Sequence, residues 1–183
     1  KNAVNYNKFE VYYQPVYDFK LQCIIGAEAL IRWNHPIRGF ISPEEFIPVA
    51  ESLSLISHIG DYVLDQACRF MAEINQNREQ PLTIAINFSP GQFIPDNCAE
   101  NWLAIIDNSG LDRCQVVMEI TENLMMSHQN SYLKQLEKLR AQGIKIALDD
   151  FGTGFSSLSY LKQLPFDILK IDKSFIRDIL VDD

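Results

Sequence analysis

KIALDDFGTGFSS, Lys145 to Ser157, runs an apolar strand into two adjacent aspartates and then into a loop with two glycines. Two like charges side by side at the end of a buried strand are costly unless something uses them. Outward from this stretch the chain alternates. After it come SSLSYLKQL, read as a short helix, the strand FDILKID (166–172), and SFIRDIL, which opens another helix. Before it lie the helix SYLKQLEKLRAQG closed by Gly143, the strand QVVMEIT (115–121), the helix DNCAENWLAIIDNSG closed by Gly110, and the strand LTIAINFS (82–89). Both glycines sit where a left-handed helix cap is wanted.

Earlier still, Val63, Leu64, Ala67, Phe70, Met71 and Ile74 recur at helical spacing and predict a helix over 59–75. ISPEEFIPVAE reads as a helix start, with Ser42 and Glu45 as a capping box and Pro43 at the first helical position. FEVYYQPVYD (9–18) and CIIGAEALIRW (23–33) are β-branched and aromatic and read as strands. Too few residues separate them for a parallel crossover, so this first pair is expected to be antiparallel.

Strand–helix alternation predicts a parallel α/β fold. The position of the polar residues chooses between an open sheet and a barrel. Glu28, Asn87, Glu119, Asp149 and Lys170 are each an isolated polar residue near the C-terminal end of an apolar strand. In an open sheet they spread along one edge, and only those at the switch point share a ligand. In a TIM-like barrel they converge on one mouth. The barrel is the expectation, with six strands present where a (β/α)₈ barrel needs eight.

Composition excludes several classes. With 16 Lys and Arg against 24 Asp and Glu, the chain lacks the basic footprint of a duplex nucleic-acid binder. No apolar run approaches the ~20 residues of a membrane helix, so membrane insertion by this domain is not expected. Cys23, Cys68, Cys98 and Cys114 are scattered without a C-x-x-C pair and read as reduced thiols of a cytoplasmic domain. His35, His58 and His128 show no ligand spacing. Residues 1–8 are polar and lack a signal-peptide layout, and the chain starts without methionine. They read as a linker from a preceding domain, with 9–183 forming one domain whose last two strands lie beyond the chain, in a further ~60 residues.

Glu28, Glu119, Asp149 and Asp150, with Asn87 nearby, cannot all ionise in a half-buried site without a counter-charge. Oxygen-only ligands suit Mg²⁺ or Mn²⁺ over zinc or copper. Two adjacent aspartates at a strand break allow one carboxylate to bridge two ions while its neighbour holds the second. A pair of ions roughly 3.5–4 Å apart is the clamp used for in-line displacement at phosphorus. Lys170 is placed to orient the attacking water or to neutralise developing charge. Taken singly, Asp150 reads as a turn residue, Lys170 as a lysine at a strand end, and Glu122 or Arg32 as half of a solvated ion pair. Five polar strand ends in succession favour a site. The DFG tripeptide lacks the Gly-rich loop and H-R-D of a kinase.

YQP (13–15), EALIRW (28–33), NFS (87–89), EITE (119–122), DDFGTGFSSLSYL (149–161) and LKID (169–172) resemble, in order and spacing, the EAL domain family of cyclic di-GMP phosphodiesterases. The resemblance runs from about residue 9 to the end. It implies a modified TIM barrel with an antiparallel first strand, and hydrolysis of cyclic di-GMP to linear 5′-pGpG with a two-ion site of Mg²⁺ or Mn²⁺. It implies that Glu28, Asn87, Glu119 and Asp149 bind the first ion and that Asp149 bridges to the second, which Asp150 also holds. It further implies that Lys170 contacts the nucleophilic water, that Glu122 steadies the loop after the fourth strand, and that Gln14, Leu30 and Arg32 line the nucleotide site, Arg32 pairing with a phosphate. A tight hairpin near Phe19–Lys20 places Gln14 opposite Ala27, beside Glu28. The family's last two strands, bearing an A-E-G-V-E segment, whose acidic residue completes the second metal site, and a Q-G pair, are not in the sequence. The resemblance also implies a tethered sensor or GGDEF domain and a homodimer. The competing readings are an inactive cyclic di-GMP receptor, disfavoured because every matchable ligand stands, and an aldolase-like barrel with Lys170 as Schiff-base lysine.

Overall fold

The computed structural model describes residues 8–121, 130–152 and 165–174. Most of the expected linker, Glu122, His128, the helix over 156–164 and all but the first residue of the helix at 174–180 lie outside the described residues.

The chain opens with β1 (Phe9–Asp18) and β2 (Cys23–His35), paired antiparallel as expected. A three-residue strand, β3 (Gly39–Ile41), folds back on the end of β2. Then follow α1 (Pro43–Ser52), α2 (Ile56–Asn75), β4 (Thr83–Phe88), a 3₁₀ turn (Pro90–Phe93), α3 (Cys98–Ser109), a second 3₁₀ turn (Arg113–Gln115) and β5 (Val116–Thr121). Beyond these come α4 (Asn130–Ala141), β6 (Lys145–Phe151) and β7 (Ile168–Ile171). The sheet order is β1-β2-β4-β5-β6-β7, every pair after the first being parallel. Among the described residues the sheet is open, with β1 and β7 at its margins.

Strand alternation sorts the side chains onto two faces. Ile84, Ile86, Phe88, Val116, Met118, Ile120, Ile146 and Leu148 point one way and share a core with Leu64, Met71, Trp102, Ile106, Leu136 and Leu139 of α2, α3 and α4. The opposite face carries only a small cluster, Ala85, Val117 and Ala147. A doubly wound sheet has helices on both faces. Helices on one face and small residues on the other make this sheet an arc of a barrel, with a concave inner wall. Gly26 joins hairpin to arc: a Cβ there would stand 2.5 Å from Thr83 Oγ1 and 2.6 Å from Thr83 O, at the first rung between β2 and β4.

Gly110 and Gly143 do take left-handed backbone, with φ of 80° and 93°. Three local expectations fail. Ser42 holds the start of α1 through its carbonyl, which accepts from Glu45 N at 3.0 Å, with no side-chain cap; the Glu45 carboxylate instead takes Arg38 Nη2 at 2.5 Å. The capping box loses because a guanidinium is in reach. Gln14 pairs with Glu28, not Ala27, because a bulge between Val16 and Tyr17 leaves Ile25 without a rung. α2 starts at Ile56, since Ile56 and Ile59 extend the apolar face into a second cluster with Phe9, Ile41 and Phe46.

Candidate active site

Consecutive rungs bring the polar strand residues to the inner wall. Asn87 of β4 lies beside Glu119 of β5, Glu119 beside Ala147, and Thr121 beside Asp149 of β6, so alternation sends all of them inward. Glu28 lies beside Ala85 on the same wall. Although β2 is long, only Gly26–Ala29 pair with β4, so Glu28 stands near the top of the parallel arc.

Lys170 of β7 is the hub. Its ammonium donates to Glu119 Oε2 at 2.6 Å, to Asp149 Oδ2 at 2.9 Å and to Glu28 Oε2 at 3.5 Å. Asn87 Nδ2 donates to Glu28 Oε1 at 2.8 Å. Glu119 is 4% exposed, and burial pushes its carboxyl up to about 7, against the pull of Lys170 and with further push from Glu28 and Asp149. Burial disfavours the Lys170 ammonium, but its bonds to Glu119 and Asp149 win and hold it above the usual lysine range. The same balance speaks against a Schiff-base lysine, which needs its pKa lowered.

Asp149 and Asp150 answer the question their adjacency raised. Asp149 stays in the strand and accepts Asp150 N–H at 2.9 Å on Oδ1. Asp150 adopts φ of 55°, left-handed backbone that Asp tolerates better than most residues. The β6–β7 register shifts between Leu148 and Phe151, across both aspartates. The turn breaks strand alternation and sends Asp150 into the neighbouring cavity, where burial and then Asp149 raise its carboxyl above the ordinary range.

That cavity, of about 510 Å³, runs from Asn87 and Asp150 along Leu30 and Arg32 to α1. Arg32 lies over the Tyr12 ring at 5.5 Å and donates to Ile31 O at 2.9 Å. Gln14 is exposed on β1 opposite Glu28 and does not line the cavity. Sequence reasoning missed the α1 wall (Pro43, Ile47, Pro48) and the post-β4 turn with Ser89 and Gln92. A glycine inside the α2 pattern, Gly60, was the available signal for the latter.

The donor set fits hard divalent ions: carboxylate oxygens and one amide, three carboxylates to the single ammonium they share. Among the described residues, no three His, Cys, Asp or Glu side chains already stand in metal-holding arrangement, Lys170 being the cation at their centre.

The EAL domain family model matches residues 1–183. The bifunctional diguanylate cyclase/cyclic di-GMP phosphodiesterase MucR of Pseudomonas aeruginosa is 38% identical over 182 residues, 100% of this chain and 27% of that protein. The MucR phosphodiesterase in complex with cyclic di-GMP has a TM-score of 0.90 at 39% identity, covering 99% of this chain and 73% of that one. The calcium/cyclic di-GMP complex of Klebsiella pneumoniae BlrP1 has a TM-score of 0.79 at 26% identity, over 94% of this chain and 42% of that one. The chain spans about a quarter of the length of the curated relatives it matches.

Proposed function

The chain belongs to the EAL domain family, and on that premise we propose that it is a metal-dependent phosphodiesterase hydrolysing cyclic di-GMP to linear 5′-pGpG. One observation carries the reading: Glu28, Asn87, Glu119, Asp149 and Lys170, from five strands, meet in one hydrogen-bonded cluster. Glu28, Asn87, Glu119 and Asp149 would hold one Mg²⁺ or Mn²⁺, and Asp149 and Asp150 would hold a second. Bound ions of this kind neutralise phosphodiester oxygens and acidify an attacking water.

The residues of the chain do the rest. The cavity beside the cluster takes a guanosine half of the ligand against Leu30, Arg32 holds a phosphate, and Gln14 flanks Glu28 from β1. Lys170, kept protonated by Glu119 and Asp149, orients the attacking water and remains charged throughout. The water gives one proton to solvent as its oxygen bonds to phosphorus, the P–O3′ bond breaks, and the 3′ oxygen takes a proton from solvent and leaves as a hydroxyl. Glu122 lies beyond the described residues. A homodimer, a tethered sensor or GGDEF domain and a cytoplasmic location belong to the same reading. No helix among the described residues is long and apolar enough to cross a membrane.

The test is turnover of cyclic di-GMP with Mn²⁺, reading pGpG by chromatography against an EDTA control. Metal-dependent product is expected. Nucleotide binding without product would replace the enzyme with a receptor.

A further inference from the structure

Gln92 is an amide buried at 3% exposure in the turn directly after β4. Its Oε1 accepts Ser89 N–H at 2.9 Å, and its own N–H donates to Ser89 O at 3.1 Å. Ser89 is two residues past Asn87. Among the described residues Gln92 Nε2 has no hydrogen-bond partner, so half the amide is buried at a cost. A side chain kept for packing alone would be apolar.

The carboxamide is seated on α2. A Cβ at Gly60 would stand 2.0 Å from Gln92 Nε2 and 2.7 Å from its Cδ, so any side chain there would force the amide to move. Glycine is among the least favourable residues inside a helix, and Gly60 lies in the second turn of one. A second glycine acts in the same seam: a Cβ at Gly91 would come 2.8 Å from Ile56 Cγ2 in the first turn of α2. Ile56, Gly60, Ser89 and Gln92 all line the cavity that Asn87 and Asp150 border. The seam therefore fixes both a cavity wall and the stretch of chain that presents the Asn87 amide to Glu28.

We propose that Gln92, seated on Gly60, is a positioning residue: by holding the Ser89 amide it sets Asn87 as a ligand for the divalent ion. The inference rests on the metal-dependent reading above. It gives the geometry of one ligand a cause five residues and one helix away.

The experiment is Mn²⁺ titration of the purified protein, following free Mn²⁺ by electron paramagnetic resonance, with metal-free thermal midpoints alongside. Gln92→Met keeps length and burial but removes the acceptor. Its Mn²⁺ affinity is expected to fall about 10–100-fold, the usual effect of losing a group that orients a ligand, with the metal-free midpoint moved little. Gly60→Ala leaves Gln92 chemically intact and favours the helix, yet should lower Mn²⁺ affinity as well, by displacing the amide. In Gly60→Ala/Gln92→Ala the clash is gone, so the double variant should bind no more weakly than Gln92→Ala alone. Wild-type affinity in Gln92→Met, or additive losses in the double variant, would overturn the inference and leave the phosphodiesterase reading standing. A wild-type protein that binds no Mn²⁺ would overturn both.

Discussion

The two ends of the parallel strands use the same ingredients, carboxylates and a cation, to opposite effect. At the N-terminal end, Asp167 takes Arg140 Nε at 2.8 Å on one oxygen and Ile146 N–H at 3.0 Å on the other, and returns its own N–H to Ile146 O at 2.8 Å. Burial alone would raise this carboxyl, but Arg140 and the Ile146 amide hold it below the ordinary range. At the C-terminal end one ammonium serves three carboxylates, and the most buried of them, Glu119, is pushed up to about 7. One cation per carboxylate ties α4 and the entry to β7 onto β6. One cation for three leaves negative charge unspent, and unspent charge is what a divalent ion binds. The lesson is stoichiometric: the floor pairs its carboxylate with a cation of its own, and the mouth leaves carboxylates to share one.

Glu119→Gln attacks the mouth and should have the largest effect. Turnover is expected to fall by more than the roughly 10–100-fold typical of residues that only orient a ligand. The metal-free thermal midpoint should not drop. A variant that loses stability in step with activity would break the contrast. Saturating Mn²⁺ should stabilise the wild-type fold, by about 2.7 kcal/mol at a hundred times Kd, and so raise its midpoint, while leaving Glu119→Gln nearly unmoved; calorimetry with and without metal measures both.

Asp167→Asn attacks the floor. Chemical denaturation should show a loss of about 1–3 kcal/mol, since an amide cannot satisfy both donors as the carboxylate does. Mn²⁺ affinity of the folded protein should be unchanged. The pH dependence follows from the depressed carboxyl. Its stabilisation is present above the unfolded value near pH 4 and lost as pH falls through the folded value below it. Asp167→Asn should flatten that part of the stability curve. Lys138→Ala, which removes the exposed pair with Glu100 between α4 and α3, should leave stability almost unchanged. A larger loss would mean that surface pairs also brace the arc.

Most of the mouth was legible because each of its residues breaks an apolar strand, and strand period fixes the face. Glu28, Asn87, Glu119, Asp149 and Lys170 stand out for that reason alone. What period does not encode stayed hidden. The bulge at Ile25 shifts the β1–β2 register by one residue, so Gln14 meets Glu28 instead of Ala27. β3 is three residues long and exists only because β2 extends far enough to receive it. The one-sided arrangement of helices, which makes the sheet a barrel arc, is a tertiary fact that alternation of strand and helix shares with open sheets. Lys170 was read as a partner for water; its bonds to three carboxylates depend on Asp149 and Asp150 straddling a register shift that no local pattern announces.

The bond between Lys170 and Glu28 spans 142 residues of chain. Contacts of such long sequence separation form late, because the loop they close must first be ordered. Nothing local assembles this cluster; it exists only once every intervening strand has taken its place. A nascent or partly unfolded chain therefore holds neither the ammonium nor the carboxylates in register. The cluster is itself a mark of completed folding, written into the sequence distance between Glu28 and Lys170.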